Sequence, residues 1–367
     1  MPATPTAQGT AGPPRVFPPG PWRRTGPPTA RALARRFGNE SPHAVIAGGQ
    51  CLVGRGVAQL LAAGGWRVTV VDAPAACPSG RQRSAIPAPA SVVWHDLALP
   101  LHLDEQVDAV VNLALPRATV DGSAHDVLRA AGGATQHTLD LARRHGSVYV
   151  LAASSHVYGG AKQAGRQEDD IGGAYSGGGL AMRQQAARLA EAQAASAARA
   201  HALDVRIARL FNAYGPGSGL ARDVVSVLLA QALRQEPLTI HRDGSQTRTF
   251  LYVDDAADAL VRMLQPGLAL PGPVNIGGTD AISIIALARL IRRLAASSSK
   301  IRRCPEPDGT VRHRHPDITR AARHLAWRPR TSLVEGLTQT VLQERPRDAR
   351  RAPAGAQPLV DRQAQRA

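Results

Sequence analysis

Lysine is almost missing from this 367-residue chain: Lys162 and Lys300 are two of 44 basic residues. Any chemistry that needs a side-chain amine has those two positions to draw on. Cysteine is scarce as well. Cys51, Cys77 and Cys304 are too few and too scattered for a disulfide scaffold or a zinc cluster, and they fit a reducing, cytoplasmic compartment. No apolar run approaches the ~18–20 residues that cross a bilayer, which excludes a helical membrane span. Acids are outnumbered, 28 against 44 basic residues, giving a formal net charge of +16. That balance raises a polyanion as a partner, but no nucleic-acid motif accompanies it, so nucleic acid is not expected. The 44% hydrophobic content supports one large domain or two modest ones with a buried core.

Residues 1–40 are rich in Pro, Gly, Ala, Thr and Arg, and residues 345–367 repeat that composition. Both segments read as flexible basic tails. The Arg23-Arg24 pair has no apolar stretch behind it, so no secretion signal is read. Between the tails, strand and helix alternate. HAVIAG (43–48), WRVTVVD (66–72), SVVWHD (91–96), VDAVVNLA (107–114), SVYVLAAS (147–154) and LDVRIARLFN (203–212) are apolar runs of strand length. Helical stretches separate several of them, over 53–63, 126–145 and 180–201. Continuously apolar strands alternating with helices predict a doubly wound parallel α/β sheet covered on both faces. From Asp223 onward helices outnumber short strands. The expected organisation is a mainly dinucleotide-binding Rossmann domain over 41–215 and a smaller, mainly substrate-binding region over 216–344, with elements interleaved.

The first strand–helix turn carries the clearest chemistry: Gly48, Gly49, Gln50, Cys51, Leu52, Val53 and Gly54. Such a turn presents backbone N–H groups at a helix N-terminus to a pyrophosphate. Gly48 and Gly54 hold the first and third glycine positions, and Cys51 holds the middle one. A Cβ at position 51 crowds the pyrophosphate and predicts backbone strain of about 1–2 kcal/mol. Asp72, closing the second strand, is placed to accept hydrogen bonds from the adenosine ribose, which favours NAD over NADP. The same turn also serves packing alone where cofactor affinity has fallen.

Further motifs carry a resemblance. HDLALPL (95–101), NLALP (112–116), LDLARR (139–144), LAASSHVYG (151–159) and DVRIARLFNAYGP (204–216) come first. QALRQEPLTIHRDGSQTRTFLYVDD (231–255), GPVNIGG (272–278), HPDIT (315–319) and AWRP (326–329) follow in order. Together they resemble the extended short-chain dehydrogenase/reductases, and among them the UDP-glucuronate decarboxylases. The resemblance implies NAD as cofactor, a UDP-sugar such as UDP-glucuronate as ligand, and a homodimer paired through helices. It implies adenine contacts at Asp96 and Leu97 and a cofactor channel lined by Leu113 and Ala114. Asn212, Arg248 and Arg314 fall where the sugar-nucleotide diphosphate is held, and forked guanidiniums suit that group. His241 falls beside the expected uracil, where an aromatic is usual.

Family decarboxylases oxidise the sugar at C4, lose CO2 and reduce the ketone again, using a Tyr base and a Lys four residues later on one helix face. A Ser or Thr on the preceding strand orients the hydroxyl, and Ser154 matches it. The resemblance places Arg183 at the Tyr position and Ala187 at the Lys position. A guanidinium cannot act as a base near neutral pH. Tyr175 lies eight residues before Arg183, with Gly179 four residues after it. Tyr158 and Lys162 match the dyad spacing, but the glycines between them disfavour a helix. His156 stands where the family has a Glu, and it is weighed both as a substitute base and as a solvated loop residue. Ala131 replaces a usual Asn, and Gly217 and Ser218 replace larger polar residues. Three functions stay open: a catalytically impaired nucleotide-sugar binder, an active enzyme with a relocated base, and a polyanion-binding protein.

Overall fold

In the computed structural model of the chain, the residues described are 27–38, 41–73, 90–115, 124–159, 165–170, 172–173, 178–218, 223–305 and 313–345. Cys77, Lys162, Tyr175 and the outer parts of both expected tails lie outside these residues. The first strands are β1 His43–Ala47, β2 Arg67–Asp72, β3 Ser91–Trp94, β4 Ala109–Asn112, β5 Val148–Ser154, β6 Val205–Leu210 and β7 Ala213–Tyr214. They are followed by β8 Leu238–His241, β9 Thr247–Thr249, β10 Leu251–Tyr252, β11 Val274–Ile276, β12 Ala281–Ser283, β13 Ile301–Cys304 and β14 His313–Arg314. The helices begin with α1 Pro27–Ala34, α2 Leu52–Ala63, α3 Ala124–His145, α4 Gly178–His201 and α5 Val224–Leu233. They continue with α6 Val253–Arg262, α7 Ile284–Leu294, α8 Thr319–His324 and α9 Leu333–Glu344.

Seven strands form one parallel sheet in the order β11-β6-β5-β4-β1-β2-β3. The strands are apolar on both faces because both faces are covered. In β1, Ala44 and Ile46 join the layer of α2 and α6, while Val45 and Ala47 join the layer of α3 and α4. Chain order reverses between β2 and β4, on either side of β1, which opens a crevice at the carboxyl ends of these strands. This is the doubly wound α/β fold expected. The later half of the chain adds β11 and α6 to the large sheet, and α5, α7 and α9 share a smaller core through Leu228, Leu287, Ile291 and Leu337.

One expectation changes. Residues 27–38 are not part of a tail, because α1 and the short 3-10 turn Arg35–Phe37 pack onto the sheet domain. Ala30, Leu33 and Ala34 are buried at helical spacing, and the Trp66 indole N–H donates to the Ala30 carbonyl at 3.1 Å. Phe37 meets Trp66 edge-on at 5.0 Å. One turn of apolar residues was hidden by its Pro- and Arg-rich surroundings.

Asp254 sits in the first turn of α6, where burial and then Asp255 push its carboxyl up to about 7. Between the ordinary carboxylate range and about 7, the folded state holds a proton that the unfolded chain has released. Stability therefore falls as pH rises through that window. Asp254→Asn should raise the melting temperature more at pH 8 than at pH 5; equal shifts in thermal melts at the two pH values would contradict this account.

Candidate functional site

The crevice is built around one close approach. Gly48 has φ +70, and a Cβ there would lie 2.8 Å from the Ala114 backbone. Its N–H donates to Val71 O at 2.8 Å, and Leu113 N–H donates to Ala47 O at 2.8 Å. The segment after β4 is fixed by Asn112, which is fully buried. Its Oδ1 accepts from Ala114 N–H at 2.9 Å, while its amide donates to the Tyr149 hydroxyl at 2.9 Å and Thr138 Oγ1 at 3.2 Å. Gly49 and Gly54 are required by packing: a Cβ on Gly54 would come within 2.6 Å of Gly49 Cα.

Cys51 corrects the expectation of strain. Its φ is −68 and ψ 164, an ordinary extended conformation, and it is the N-cap of α2. Its Sγ accepts from Gly54 N–H at 3.3 Å, in the role usually filled by a Ser, Thr or Asp side chain. Leu52 and Val53 bury their side chains in the first turn of α2, leaving this helix end facing the crevice.

Asp72 lies beside the turn. Its Oδ2 accepts from Gln50 N–H and its Oδ1 from Ala73 N–H, both at 2.9 Å. Burial raises its carboxyl above the ordinary range, and the two backbone hydrogen bonds pull the other way. The Asp96 segment is adjacent, since His95 N–H donates to Asp72 O at 3.0 Å. Asp96 is exposed and Leu97 is buried. Sequence reasoning missed Arg55, one residue after Gly54. Its guanidinium donates to Gln50 O at 2.6 Å and also to Gly217 O, whose own N–H donates to the Glu344 carboxylate at 2.7 Å. Its position just after the third glycine was the available signal.

At the other end of the crevice, Ser154 closes β5 and caps a 3-10 turn over Ser155–Tyr158. Ser154 Oγ and His156 Nδ1 are 2.6 Å apart, and His156 N–H approaches Oγ at 3.3 Å. Tyr158 is not on an α-helix. Its hydroxyl donates to Asn275 Oδ1 at 2.6 Å, accepts from Arg209 Nη1 at 3.0 Å, and its ring lies 4.9 Å from the Arg209 guanidinium carbon. Burial raises this phenol, with Arg209 opposing. Tyr158 is thus committed to a buried network that continues through Arg209 to Glu191 at 2.9 and 2.7 Å.

The long helix α4 lies across these strand ends. Gln184 donates to Gly173 O at 2.8 Å, and Arg188 donates to Val157 O at 3.1 Å and Gly172 O at 2.6 Å. Ala187 is 1% exposed and packs with Val157, Tyr158 and Phe211. Arg183, half-buried, lies one turn earlier on the same helix face. Ala131 is buried against Val127 and Ala186 where α3 meets α4.

Asn212 follows β6 at φ +30 and donates from Nδ2 to Thr249 O at 2.8 Å. That bond places it beside β9. In the small sheet β12-β9-β14, Arg248 and Arg314 are in-register partners on adjacent parallel strands. The two arginines, 66 residues apart in sequence, therefore have neighbouring backbone positions. His241 lies in the separate β8–β13 pair, exposed, with Nδ1 2.8 Å from Pro305 O. Among the described residues no group of three or more potential metal-ligating side chains gathers.

A parallel sheet with a glycine turn at its topological switch point and an acid closing the second strand defines a Rossmann-type α/β fold. The chain belongs to the NAD dependent epimerase/dehydratase family, whose match covers residues 44–277. UDP-glucuronic acid decarboxylase 1 of Danio rerio is 33% identical over 304 residues, 81% of this chain and 71% of that protein. An epimerase from Methanothermobacter thermautotrophicus superposes with TM-score 0.76 at 25% identity, covering 88% of this chain and 95% of its own. UDP-glucuronic acid 4-epimerase from Bacillus cereus, solved with UDP-glucuronic acid and NAD, shares the fold with TM-score 0.71 at 22% identity; the match covers 82% of this chain and 98% of that one.

The cap at position 51 is directly testable. Cys51→Ser should hold or raise stability, and Cys51→Ala should cost about 0.5–2 kcal/mol in denaturant melts. Equal stability of the two variants would show that the sulfur does not cap α2.

Proposed function

We propose that this chain binds a nucleotide sugar such as UDP-glucuronate together with NAD, with the family's catalysis impaired or lost. The observation that carries this reading is the chemical face of α4, where Arg183 and Ala187 stand four residues apart. Neither offers what hydroxyl oxidation needs: a guanidinium stays protonated, and a methyl group holds no nicotinamide ribose. The loss of a general base costs ~10²–10⁴-fold in rate.

The residues fit NAD at its adenosine end. Gly48 lets the turn lie against the Leu113–Ala114 backbone, Asp72 and Asp96 stand along one side, and the first turn of α2 offers its N–H groups. Bound there, NAD supplies hydride chemistry. The chain's own groups hold it: Leu113 and Ala114 line the channel, and Asp72 accepts from the ribose. The Cys51 sulfur already occupies one N–H of that helix end, which lowers cofactor affinity. Arg248 and Arg314 hold the sugar-nucleotide diphosphate, Asn212 positions it beside β9, and His241 stacks at the uracil end. We further propose a homodimer through the outer faces of α3 and α4, in a cytoplasmic setting.

A second reading is favoured by one contact, the 2.6 Å separation of Ser154 Oγ and His156 Nδ1. In it, Ser154 takes a sugar hydroxyl proton at Oγ as its own proton passes to Nδ1 of His156. One experiment separates the two. Purified chain is incubated with UDP-glucuronate and NAD, and UDP-xylose or a 4-keto product is followed. The first reading predicts no sustained turnover, a thermal shift with the sugar nucleotide, and appearance of turnover in Arg183→Tyr combined with Ala187→Lys. Sustained wild-type turnover that disappears in both Ser154→Ala and His156→Ala would contradict it and establish the second.

A further inference from the structure

Away from the crevice, residues 281–305 contain no Asp or Glu and six cations: Arg289, Arg292, Arg293, Lys300, Arg302 and Arg303. α7 and β13 both pack on the small core, through Ile291 and Ile301. In α7 the buried residues are Ile284, Leu287, Ala288 and Ile291, so its core stripe is complete without the arginines. Arg289 lies three residues before Arg292 and four before Arg293, which places all three on neighbouring positions of one helix side. Like charges at these spacings destabilise a helix by a few tenths of a kcal/mol per pair, and α7 carries no acid to offset them. The chain then turns through Ser297, Ser298 and Ser299 into β13, the outer strand of the β8–β13 pair.

Arg302 and Arg303 are both exposed on that strand. Their in-register partners are Thr239 and Ile240. Ile240 is buried in the same small core as Leu287 and Ile291, so Arg303 points to the side of the pair on which α7 packs. Arg302 occupies the opposite side. Among the described residues, none of the six cations has a carboxylate within ion-pair distance. A seventh cation, Arg345 just after α9, donates to Leu294 O at 3.4 Å and reaches the carboxyl end of α7.

We infer that the α7–β13 face binds the phosphate backbone of a nucleic acid. Exposed cations that form no ion pair and are not needed for the core are complementary to a dense row of anions. Five of the six cations are arginines, whose planar forks match phosphate oxygens. The 281–305 stretch contains no aromatic residue, so base stacking has no platform there. Binding is therefore through the backbone, without base readout. The expectation against nucleic acid rested on the lack of a recognition motif, and backbone binding requires none. Phosphate binding by these cations uses none of Arg248, Arg314 and His241, so it stands whether or not a nucleotide sugar binds.

The test uses the full chain, a labelled RNA duplex and a DNA duplex of the same sequence, with fluorescence anisotropy over a range of salt concentrations. Each phosphate contact contributes about 0.9 to the slope of log affinity against log salt for B-form DNA. Replacing Arg289, Arg292, Arg293 and Arg303 by Gln should lower affinity by about tenfold or more and reduce that slope by roughly three to four. The same four positions as Lys keep the charge and should keep the slope, which separates charge from folding. Replacing Arg347, Arg350, Arg351, Arg362 and Arg366 by Gln should leave most of the binding. The inference is overturned if neither duplex binds at low salt, or if the Lys variant loses the slope. It is overturned equally if the second glutamine set alone removes binding, or if polyglutamate competes as well as nucleic acid. Preference between the two duplexes identifies the helical form that fits the face.

Discussion

The architecture of the crevice depends on the backbone of Gly48 lying against the backbone of Leu113 and Ala114. That approach is closed to any residue with a Cβ, and it occurs where the order of the parallel sheet reverses. Asn112 maintains it from below by spending its buried amide on the Tyr149 and Thr138 hydroxyls and on the backbone of the same segment. Asp72 fixes the other side of the turn through Gln50 N–H. Arg55 ties the same residue's carbonyl to Gly217, and Gly217 is tied in turn to Glu344. The dinucleotide turn, the segment after β7 and the end of α9 are thereby one connected structure. A buried polar network of this kind is favourable because its members are satisfied together.

At the sugar end, seating and chemistry are carried by neighbouring but different residues of α4. Gln184 and Arg188 anchor the helix to Val157, Gly172 and Gly173. Positions 183 and 187 look toward the strand ends. Ala187 packs in a buried cluster with Val157, Tyr158 and Phe211, while Gln184 and Arg188 hold the helix through polar groups outside positions 183 and 187. This separation explains how the fold can match NAD-linked relatives closely while the residues expected to move a proton differ.

Much of the scaffold was legible in the sequence for physical reasons. Strands buried on both faces are mostly apolar, and in β1, β4 and β5 the polar exceptions, His43, Asn112 and Ser154, stand at strand ends. Gly48 was legible because a tight turn with positive φ restricts residue type, and Asp72 because it closes the second strand beside that turn. The strain expected at Cys51 from its Cβ is absent from the backbone, which is extended there and uses the sulfur as a cap. The clamp by Arg55 spans 162 residues to Gly217, and the Tyr158–Asn275 bond spans 117, so no local pattern announces either. The contact between Ser154 and His156 is local, but it depends on a 3-10 turn that apolar periodicity does not encode. The register that sets Arg248 beside Arg314 is long-range too, and no local pattern announces it.

The central claim is that this fold holds a sugar nucleotide without transforming it. The most direct measurement titrates UDP-glucuronate into the NAD-supplemented full chain by calorimetry and then identifies the nucleotide sugar recovered from the same cell. The account predicts saturable binding and recovery of unchanged UDP-glucuronate. Conversion to UDP-xylose, or no binding at all, would contradict it.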